Sequence, residues 1–291
     1  MPFMKTEYSN SQKKVLSILK KKEKVCLMVA PSFVVDFEYK SFVPLMKALG
    51  FDKVSELTFG AKIVNEHYHK YIKENKSKKG CEKFISSVCP LSVELVKNRC
   101  PELKKFLLPF DSPMVATAKI LRKEYPKHKI VFLSPCSAKK VEAANSGLID
   151  AALTFKEMKG ILVKEKPGSK TSFSHLFDRF YNDYTKVYPL SGGLSKTLHS
   201  KDILKKEEIV SCDGCTDLLK LFSKHSDKIF YDILFCDGGC IGGNGVASSL
   251  SISARRRKVL DYKKIADKEK IPEKRIGLKK YTKDLNFEKA F

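Results

Sequence analysis

Residues 231–245 have the sequence YDILFCDGGCIGGNG, in which a short apolar run passes directly into two cysteines and a set of glycines. The apolar run is rich in residues that favour β-strands, and glycines permit tight backbone wrapping around a bulky group. Two further runs, KFISSVCP at 83–90 and KIVFLSPC at 129–136, share this design. The sequence therefore places a cysteine at or just beyond the end of each of three predicted strands.

Segments with helical character lie between these strands, among them residues 92–106, 114–125 and 216–225. Strands that alternate with helices predict an α/β fold with parallel-type sheets flanked by helices. The length of 291 residues favours two lobes over several small domains. Ligands of such sheets bind beyond the carboxyl ends of the strands, so we expect the three cysteine motifs to meet in one crevice.

Composition limits the possible environments and partners. The net charge is +23, but the lysines are spread along the chain, and no arginine-rich stripe interleaved with aromatics indicates nucleic acid. The basic surface predicts either solvated helix faces or docking of an acidic electron carrier. No stretch approaches the roughly 20 apolar residues of a membrane span, and the charged N-terminus lacks the apolar core of a signal peptide. We therefore expect a cytoplasmic protein.

Four cysteines belong to the three strand-end motifs: Cys89, Cys136, Cys236 and Cys240. Nine cysteines in a reducing compartment are better explained as metal ligands or reactive thiols than as disulfides. Four thiolates are the usual ligand set of a [4Fe–4S] cube. Zinc is a rival for any set of four cysteines, and buried cysteines also occur as plain core residues.

The three motifs together resemble the C-terminal, H-cluster domain of the [FeFe]-hydrogenase large subunit, in a divergent, sensor-like branch. The similar stretches, in order, are SSVCP at 86–90, SPCSAKKVE at 134–142 and CDGGCIGGNG at 236–245. Supporting similarities are APS at 30–32, SP at 112–113 and SGG at 191–193. The resemblance covers roughly residues 24–260.

The resemblance implies an H-cluster, in which Cys89, Cys136, Cys236 and Cys240 hold a [4Fe–4S] cluster. Cys240 would also bridge to a two-iron subcluster that carries CO, cyanide and a bridging azadithiolate. Lys139 would donate a hydrogen bond to a cyanide ligand. The remaining residues that the resemblance assigns to the cofactor pocket are Ala30, Pro31, Ser32, Pro135 and Gly239, and those that it assigns to a proton relay are Ser112 and Glu142.

The chain departs from the family at informative positions. The family has a proton-carrying cysteine directly before the first cube ligand, and this sequence has Val88 there. Two methionines that pack against the two-iron site correspond to Ser134 and Leu234, and a relay glutamate is replaced near His67 and Tyr68. Because valine cannot transfer a proton, we expect slow turnover.

Five cysteines lie outside the three motifs. Cys212 and Cys215 occupy a predicted strand-to-helix turn, where they are either packed thiols or a proton donor, a redox pair or ligands of a second metal. We expect Cys26, Cys81 and Cys100 to be structural or surface thiols.

Pattern and resemblance together predict two α/β lobes with the cofactor in the cleft between them. We expect an N-terminal helical extension over 1–23, a first lobe over 24–133 and a second lobe over 134–249. A charged C-terminal arm over 250–291 is expected to pack on the first lobe.

Three functions follow from the resemblance. The first is a hydrogenase-type oxidoreductase that interconverts H2 with protons and electrons, and it is the one that we favour. The second is a regulator that senses H2 or redox state, which Val88 favours, and the third is an iron–sulfur protein with only a [4Fe–4S] cluster, which Lys139 and Glu142 disfavour. Because residues 1–25 contain no cysteine, electrons are expected to pass to an external, ferredoxin-like acidic carrier or a partner subunit. H-cluster maturation enzymes would be further partners.

Overall fold

The computed structural model describes residues 7–168, 173–180, 184–198, 202–224, 226–276 and 281–291. The strands are β1 (Val25–Val29), β2 (Lys53–Glu56), β3 (Phe84–Ile85), β4 (Lys129–Ser134), β5 (Ala151–Thr154), β6 (Ile209–Asp213) and β7 (Phe230–Leu234). The helices are α1 (Asn10–Lys20), α2 (Tyr39–Leu49), α3 (Thr58–Asn75), α4 (Pro90–Arg99), α5 (Pro113–Glu124), α6 (Ala138–Ser146), α7 (Phe155–Glu165), α8 (Gly193–Thr197), α9 (Cys215–Phe222) and α10 (Ile252–Lys268).

The strands form two sheets, with strand orders β2-β1-β4-β5 and β3-β7-β6. Each pairing within the named strands is parallel, as in the central pair of the first sheet, where Leu27 lies beside Val131. The central strands β1 and β7 are buried along their whole length, as expected for parallel sheets whose faces are covered by helices. The predicted α/β class with parallel, helix-flanked sheets is confirmed.

The two sheets interleave along the chain. β3 lies before residue 133 yet pairs with β7 of the second sheet, and β5 lies after it yet pairs with β4 of the first. Sheet membership therefore does not follow the predicted boundary at 133/134. The division of the chain into 1–23, 24–133, 134–249 and 250–291 remains a prediction.

Local sequence signals explain where several helices begin and end. At α1, the Ser9 side chain accepts from the Gln12 backbone while the Gln12 side chain caps Ser9 in return. At α2, Gly50 ends the helix in the left-handed region with φ 115°. The predicted helix over 92–106 is interrupted, because Pro101 disfavours helical backbone at Cys100; α4 stops at Arg99 and a 3₁₀ turn follows.

Helix α10 packs against the hydrophobic core beside the first sheet. Its buried residues include Val259 and Tyr262, and the Tyr262 ring meets the Phe33 ring edge-on at 5.5 Å between centroids. The exposed face of α10 carries many of its charged residues. Of the helices in the described part of the chain, none is both long and apolar enough to cross a bilayer.

A buried ion pair joins β2, α10 and the 3₁₀ turn Tyr184–Val187. The Lys186 ammonium donates to the Glu56 carboxylate, and both side chains are fully buried. The Tyr262 hydroxyl donates to the second Glu56 oxygen at 2.8 Å and accepts from Lys186 at 3.0 Å. A buried ion pair with its hydrogen bonds therefore connects three segments that are far apart in sequence.

Glu56→Gln should destabilise the fold by about 3–5 kcal/mol, because it leaves the Lys186 charge buried without its counter-charge. Chemical denaturation monitored by circular dichroism measures this loss. The double variant Glu56→Gln/Lys186→Met should recover much of the stability, since it removes the unpaired charge. Equal stability of Glu56→Gln and the parent chain would contradict a buried ion pair.

Candidate metal and cofactor site

The four motif cysteines line one cavity at the carboxyl ends of the strands. Cys89 directly precedes α4, and Cys136 lies between β4 and α6. Cys236 follows β7, and Cys240 opens the 3₁₀ turn Cys240–Gly242. The structure thus brings together the four residues that the sequence predicts as metal ligands, from both sheets.

Burial and mutual proximity make charged thiolates costly in this cavity. Desolvation raises the pKa of the Cys236 thiol to about 12, and the neighbouring Cys136 and Cys89 add to the effect. Burial also raises the pKa of Cys240, again with contributions from the other motif cysteines, while Lys139 opposes the shift. Four thiolates in such a place need positive charge among them, which an iron cluster would supply.

The four motif thiols share one cavity wall but do not form the close group that a single metal ion needs. Among the described residues, no three His, Cys, Asp or Glu side chains form a group that could hold a single metal ion. A [4Fe–4S] cube does not require such a group, because each of its four irons takes one cysteine. The arrangement of the cysteines is therefore compatible with a cluster.

Glycine is required where the Cys236–Cys240 loop passes the segment after the 3₁₀ turn Tyr184–Val187. Gly239 has φ 79°, and a Cβ there would lie 2.8 Å from the Pro189 carbonyl oxygen. The same carbonyl accepts a hydrogen bond from the Cys240 backbone N–H at 2.8 Å. A side chain at residue 239 would push Cys240 away from the cavity.

The loop after Cys240 is tied to the loop that carries Cys136. The Gly245 N–H donates to the Pro135 carbonyl at 2.8 Å. Asn244 accepts from the Ser137 backbone N–H at 3.0 Å and donates to the Ser137 hydroxyl at 2.7 Å. These reciprocal bonds fix the relative position of two candidate ligand loops that come from different sheets.

Lys139 lines the cavity and links the first motif to the second. Its ammonium donates to the Val88 carbonyl at 3.1 Å and to the Glu142 carboxylate at 2.6 Å. The Lys139 and Glu142 side chains are only 16% and 10% exposed. Lys139 thus places a cation beside the thiols, and the Glu142 carboxylate holds its ammonium in position.

The predicted pocket residues Ala30, Pro31 and Ser32 line the cavity, as do Pro135 and Gly239. Ala30 directly follows β1, and Pro31 begins a 3₁₀ turn. Ser32 is fully buried, and its hydroxyl has no hydrogen-bond partner within the described chain. A buried hydroxyl without a partner on a cavity wall fits a bound group that brings its own acceptor.

The predicted relay residues are close to the cavity but do not form a chain of hydrogen bonds. Val88 lines it as an apolar side chain that is 6% exposed. Ser112 is buried, its hydroxyl has no partner in the residues described, and the next residue, Pro113, lines the cavity. Glu142 bonds Lys139 and does not itself line the cavity. Ser134 and Leu234 do line it.

Sequence reasoning missed Tyr188, which lines the cavity with a buried hydroxyl. The one signal was its place three residues before the Ser191-Gly192-Gly193 stretch.

Cys212 and Cys215 are not among the cavity-lining residues; they pack at the core between the second sheet and α9. Their role remains a prediction.

Several known proteins are similar to this chain in sequence or in fold. Iron hydrogenase 1 of Clostridium pasteurianum is 24% identical over an alignment of 269 positions, which covers 73% of this chain and 46% of that protein. The chain thus spans about half the length of this curated relative.

Two solved structures show the same fold at 16% identity, and each match covers 87% of this chain and 88% of the other. One, on stepwise H-cluster assembly of an [FeFe]-hydrogenase in HydA(deltaEFG), gives a TM-score of 0.67. The other, a variant of [FeFe]-hydrogenase HydA1 from Chlamydomonas reinhardtii, gives 0.65.

The family match covers most of the sequence. Residues 23–244 match the family described as the iron only hydrogenase large subunit, C-terminal domain. The chain belongs to this family.

Proposed function

We propose that this chain holds an H-cluster and interconverts H2 with protons and electrons, at a low rate. The observation that carries the proposal is the set of four cysteine thiols around one cavity, with the Lys139 ammonium beside them. Cys89, Cys136, Cys236 and Cys240 would hold the [4Fe–4S] cluster, and Cys240 would also hold the two-iron subcluster. When bound, the cofactor would supply the redox chemistry and the iron for the reaction with H2.

The residues around the thiols would keep the site dry and charge-balanced. Pro31, Met114, Phe132 and Leu234 contribute apolar surface to the cavity wall. In a low-dielectric site, a fixed ammonium stabilises a nearby anion more strongly than it would in water. Lys139 and the Ser32 hydroxyl are therefore the side chains that we expect to orient cyanide groups.

The site lacks a proton donor at residue 88. Val88 stands where a proton donor is expected, and the hydroxyl of the preceding Ser87 is directed elsewhere, because it donates to the Leu108 carbonyl at 2.7 Å. The Ser87 N–H in turn donates to the Tyr68 hydroxyl at 2.8 Å. Ser87 and Tyr68 therefore bond to each other and to the backbone. The side chain of Val88 offers no proton donor to the cavity.

The apolar side chain at residue 88 also favours a second candidate function, which is sensing of H2 or redox state. A sensor needs to bind H2 and to change its redox state, whereas rapid proton transfer is a requirement of turnover. Measured turnover with an artificial electron carrier separates the two functions.

An acidic electron carrier is the partner that the surface next to the candidate cluster favours. Helix α10 begins against the Cys236–Cys240 loop, where Arg255 donates to the Ile241 carbonyl at 2.9 Å. In the following residues, Arg256 is half-buried and Arg257 is exposed. A basic surface close to a cluster steers acidic redox proteins to the position where electron transfer is short.

Cys240→Ala should abolish retention of the two-iron subcluster, because the only proposed protein ligand of that subcluster is lost. The measurement is infrared spectroscopy of protein reconstituted with iron and sulfide and then matured with the synthetic two-iron complex, since bound CO and cyanide absorb where protein groups do not. Cys215→Ala is the matched control and should keep the bands. Unchanged CO and cyanide bands in Cys240→Ala would refute the assignment. A parent chain with cluster iron but without these bands would support the cube-only function.

Val88→Cys should raise H2 production with a reduced dye by about 10-fold or more, because positioned proton donors contribute about 10²–10⁴-fold to such rates. Val88→Ala is the control, since it opens space without adding an acid. An equal rise in both variants would attribute the gain to water entry. An unchanged rate in Val88→Cys would show that proton delivery does not limit turnover.

Arg256→Glu combined with Arg257→Glu should raise the KM for an acidic ferredoxin several-fold and weaken its salt dependence, with unchanged activity toward a small neutral dye. The control is Lys20→Glu combined with Lys21→Glu. Those lysines are exposed at the end of α1, just before β1 begins, and so lie at the amino edge of the sheet, away from the cavity. If both double variants change the KM equally, the effect is one of net charge and the proposed docking surface is wrong.

A further inference from the structure

Tyr188 is held rigidly beside Cys240 by its backbone. The Tyr188 N–H donates to the Thr185 carbonyl at 3.1 Å, and the next residue, Pro189, accepts from the Cys240 N–H at 2.8 Å. The backbone of Gly193 packs closely on the segment before it, since a Cβ at Gly193 would lie 2.1 Å from the Val187 carbonyl oxygen. The position of the Tyr188 ring on the cavity wall is therefore determined by the same segment that positions a candidate cluster ligand.

The Tyr188 hydroxyl is buried and has no hydrogen-bond partner among the residues that the structure describes. The residue as a whole is 8% exposed and lines the cavity. Two other buried tyrosines are paired: Tyr68 lies 2.8 Å from the Ser87 hydroxyl, and Tyr262 donates to Glu56. Because buried phenol groups as a rule find partners, an unpartnered hydroxyl at the cavity points to an acceptor that a bound group supplies.

The protonation state of Tyr188 suits a donor. Burial raises the pKa of its hydroxyl well above the ordinary value, and the neighbouring Tyr68, Asp232 and Cys240 act in the same direction. The hydroxyl therefore carries its proton throughout the physiological range. A neutral phenol can donate one hydrogen bond along a fixed direction set by the ring.

We propose that Tyr188 donates a hydrogen bond to the cofactor that fills the cavity, and this inference rests on the proposed function. The acceptor is an anionic group of that cofactor, either a sulfur of the [4Fe–4S] cluster or a cyanide of the two-iron subcluster. Such a bond stabilises the more negatively charged state of the acceptor. Hydrogen bonds to cluster sulfurs are among the factors that set cluster reduction potentials.

The test compares the parent chain with Tyr188→Phe, which removes the hydroxyl and keeps the ring. In the first arm, protein reconstituted with iron and sulfide alone is titrated to obtain the midpoint potential of the cube. In the second arm, the same protein is matured with the synthetic two-iron complex, and its infrared spectrum is recorded in H2O and in D2O. Tyr39→Phe is the control, because Tyr39 is a buried tyrosine paired with Glu269 and does not line the cavity.

A cube potential that is lower in Tyr188→Phe than in the parent identifies a cluster sulfur as the acceptor. A shift of the cyanide bands, together with a smaller sensitivity of those bands to D2O than in the parent, identifies the two-iron subcluster. Identical potentials and identical spectra in the two proteins would overturn the role of Tyr188 alone. A parent chain without a cube and without CO or cyanide bands would overturn the proposed function itself, and the role of Tyr188 with it.

A stability measurement keeps the test decisive if reconstitution of the variant is poor. Without metal, Tyr188→Phe should have a Tm equal to or above that of the parent, because the hydroxyl has no partner to lose. The gain in Tm on reconstitution should then be smaller in the variant than in the parent. A Tm of metal-free Tyr188→Phe well below that of the parent would show that the hydroxyl is already bonded within the protein, which contradicts the proposal.

Discussion

The candidate site depends on one constraint, which is that the strands β1 to β7 run parallel to the strands with which they pair. Parallel strands bring their carboxyl ends to one edge of a sheet, and in this chain those ends lead into the residues that we propose for the cofactor site. Ala30 follows β1, Cys136 follows β4 and Cys236 follows β7. No local contact could assemble this set, because its members are separated by roughly a hundred residues each along the sequence.

The carboxyl ends of the two sheets bring several thiols together where burial makes their charged forms unfavourable. Desolvation raises the pKa values of Cys136, Cys236 and Cys240, so burial at the cavity favours neutral thiols. The Lys139 ammonium partly offsets this effect as a positive charge beside the thiols, and Glu142 holds that ammonium in place. A metal cluster changes the balance because its own positive charge is larger than that of one ammonium. Metal binding and the order of the loops should therefore be strongly coupled.

The features that could be predicted from the sequence are those set by local patterns, and the features that could not are those set by tertiary contacts. Short apolar runs that end in cysteine predicted the strands and their shared edge, because both signals are local. The pairing of the two-residue strand β3 with β7, which places it across the predicted boundary, depends on tertiary contacts that no local pattern encodes. The same holds for the ion pair between Lys186 and Glu56, and for Tyr188, whose importance lies in an unpaired hydroxyl. Burial of a particular atom cannot be derived from a pattern of residue types.

Residue 88 shows how the chain can change chemistry without a change of architecture. The fold uses this residue through its carbonyl, which accepts from Lys139 at 3.1 Å and so joins the loop of Cys89 to that of Cys136. Every amino acid offers that carbonyl, so valine preserves the scaffold as well as cysteine would. The side chain, by contrast, only lines the cavity. A change of the side chain at residue 88 therefore leaves the bond between the two cysteine loops in place, so an apolar residue there is compatible with the proposed cofactor site.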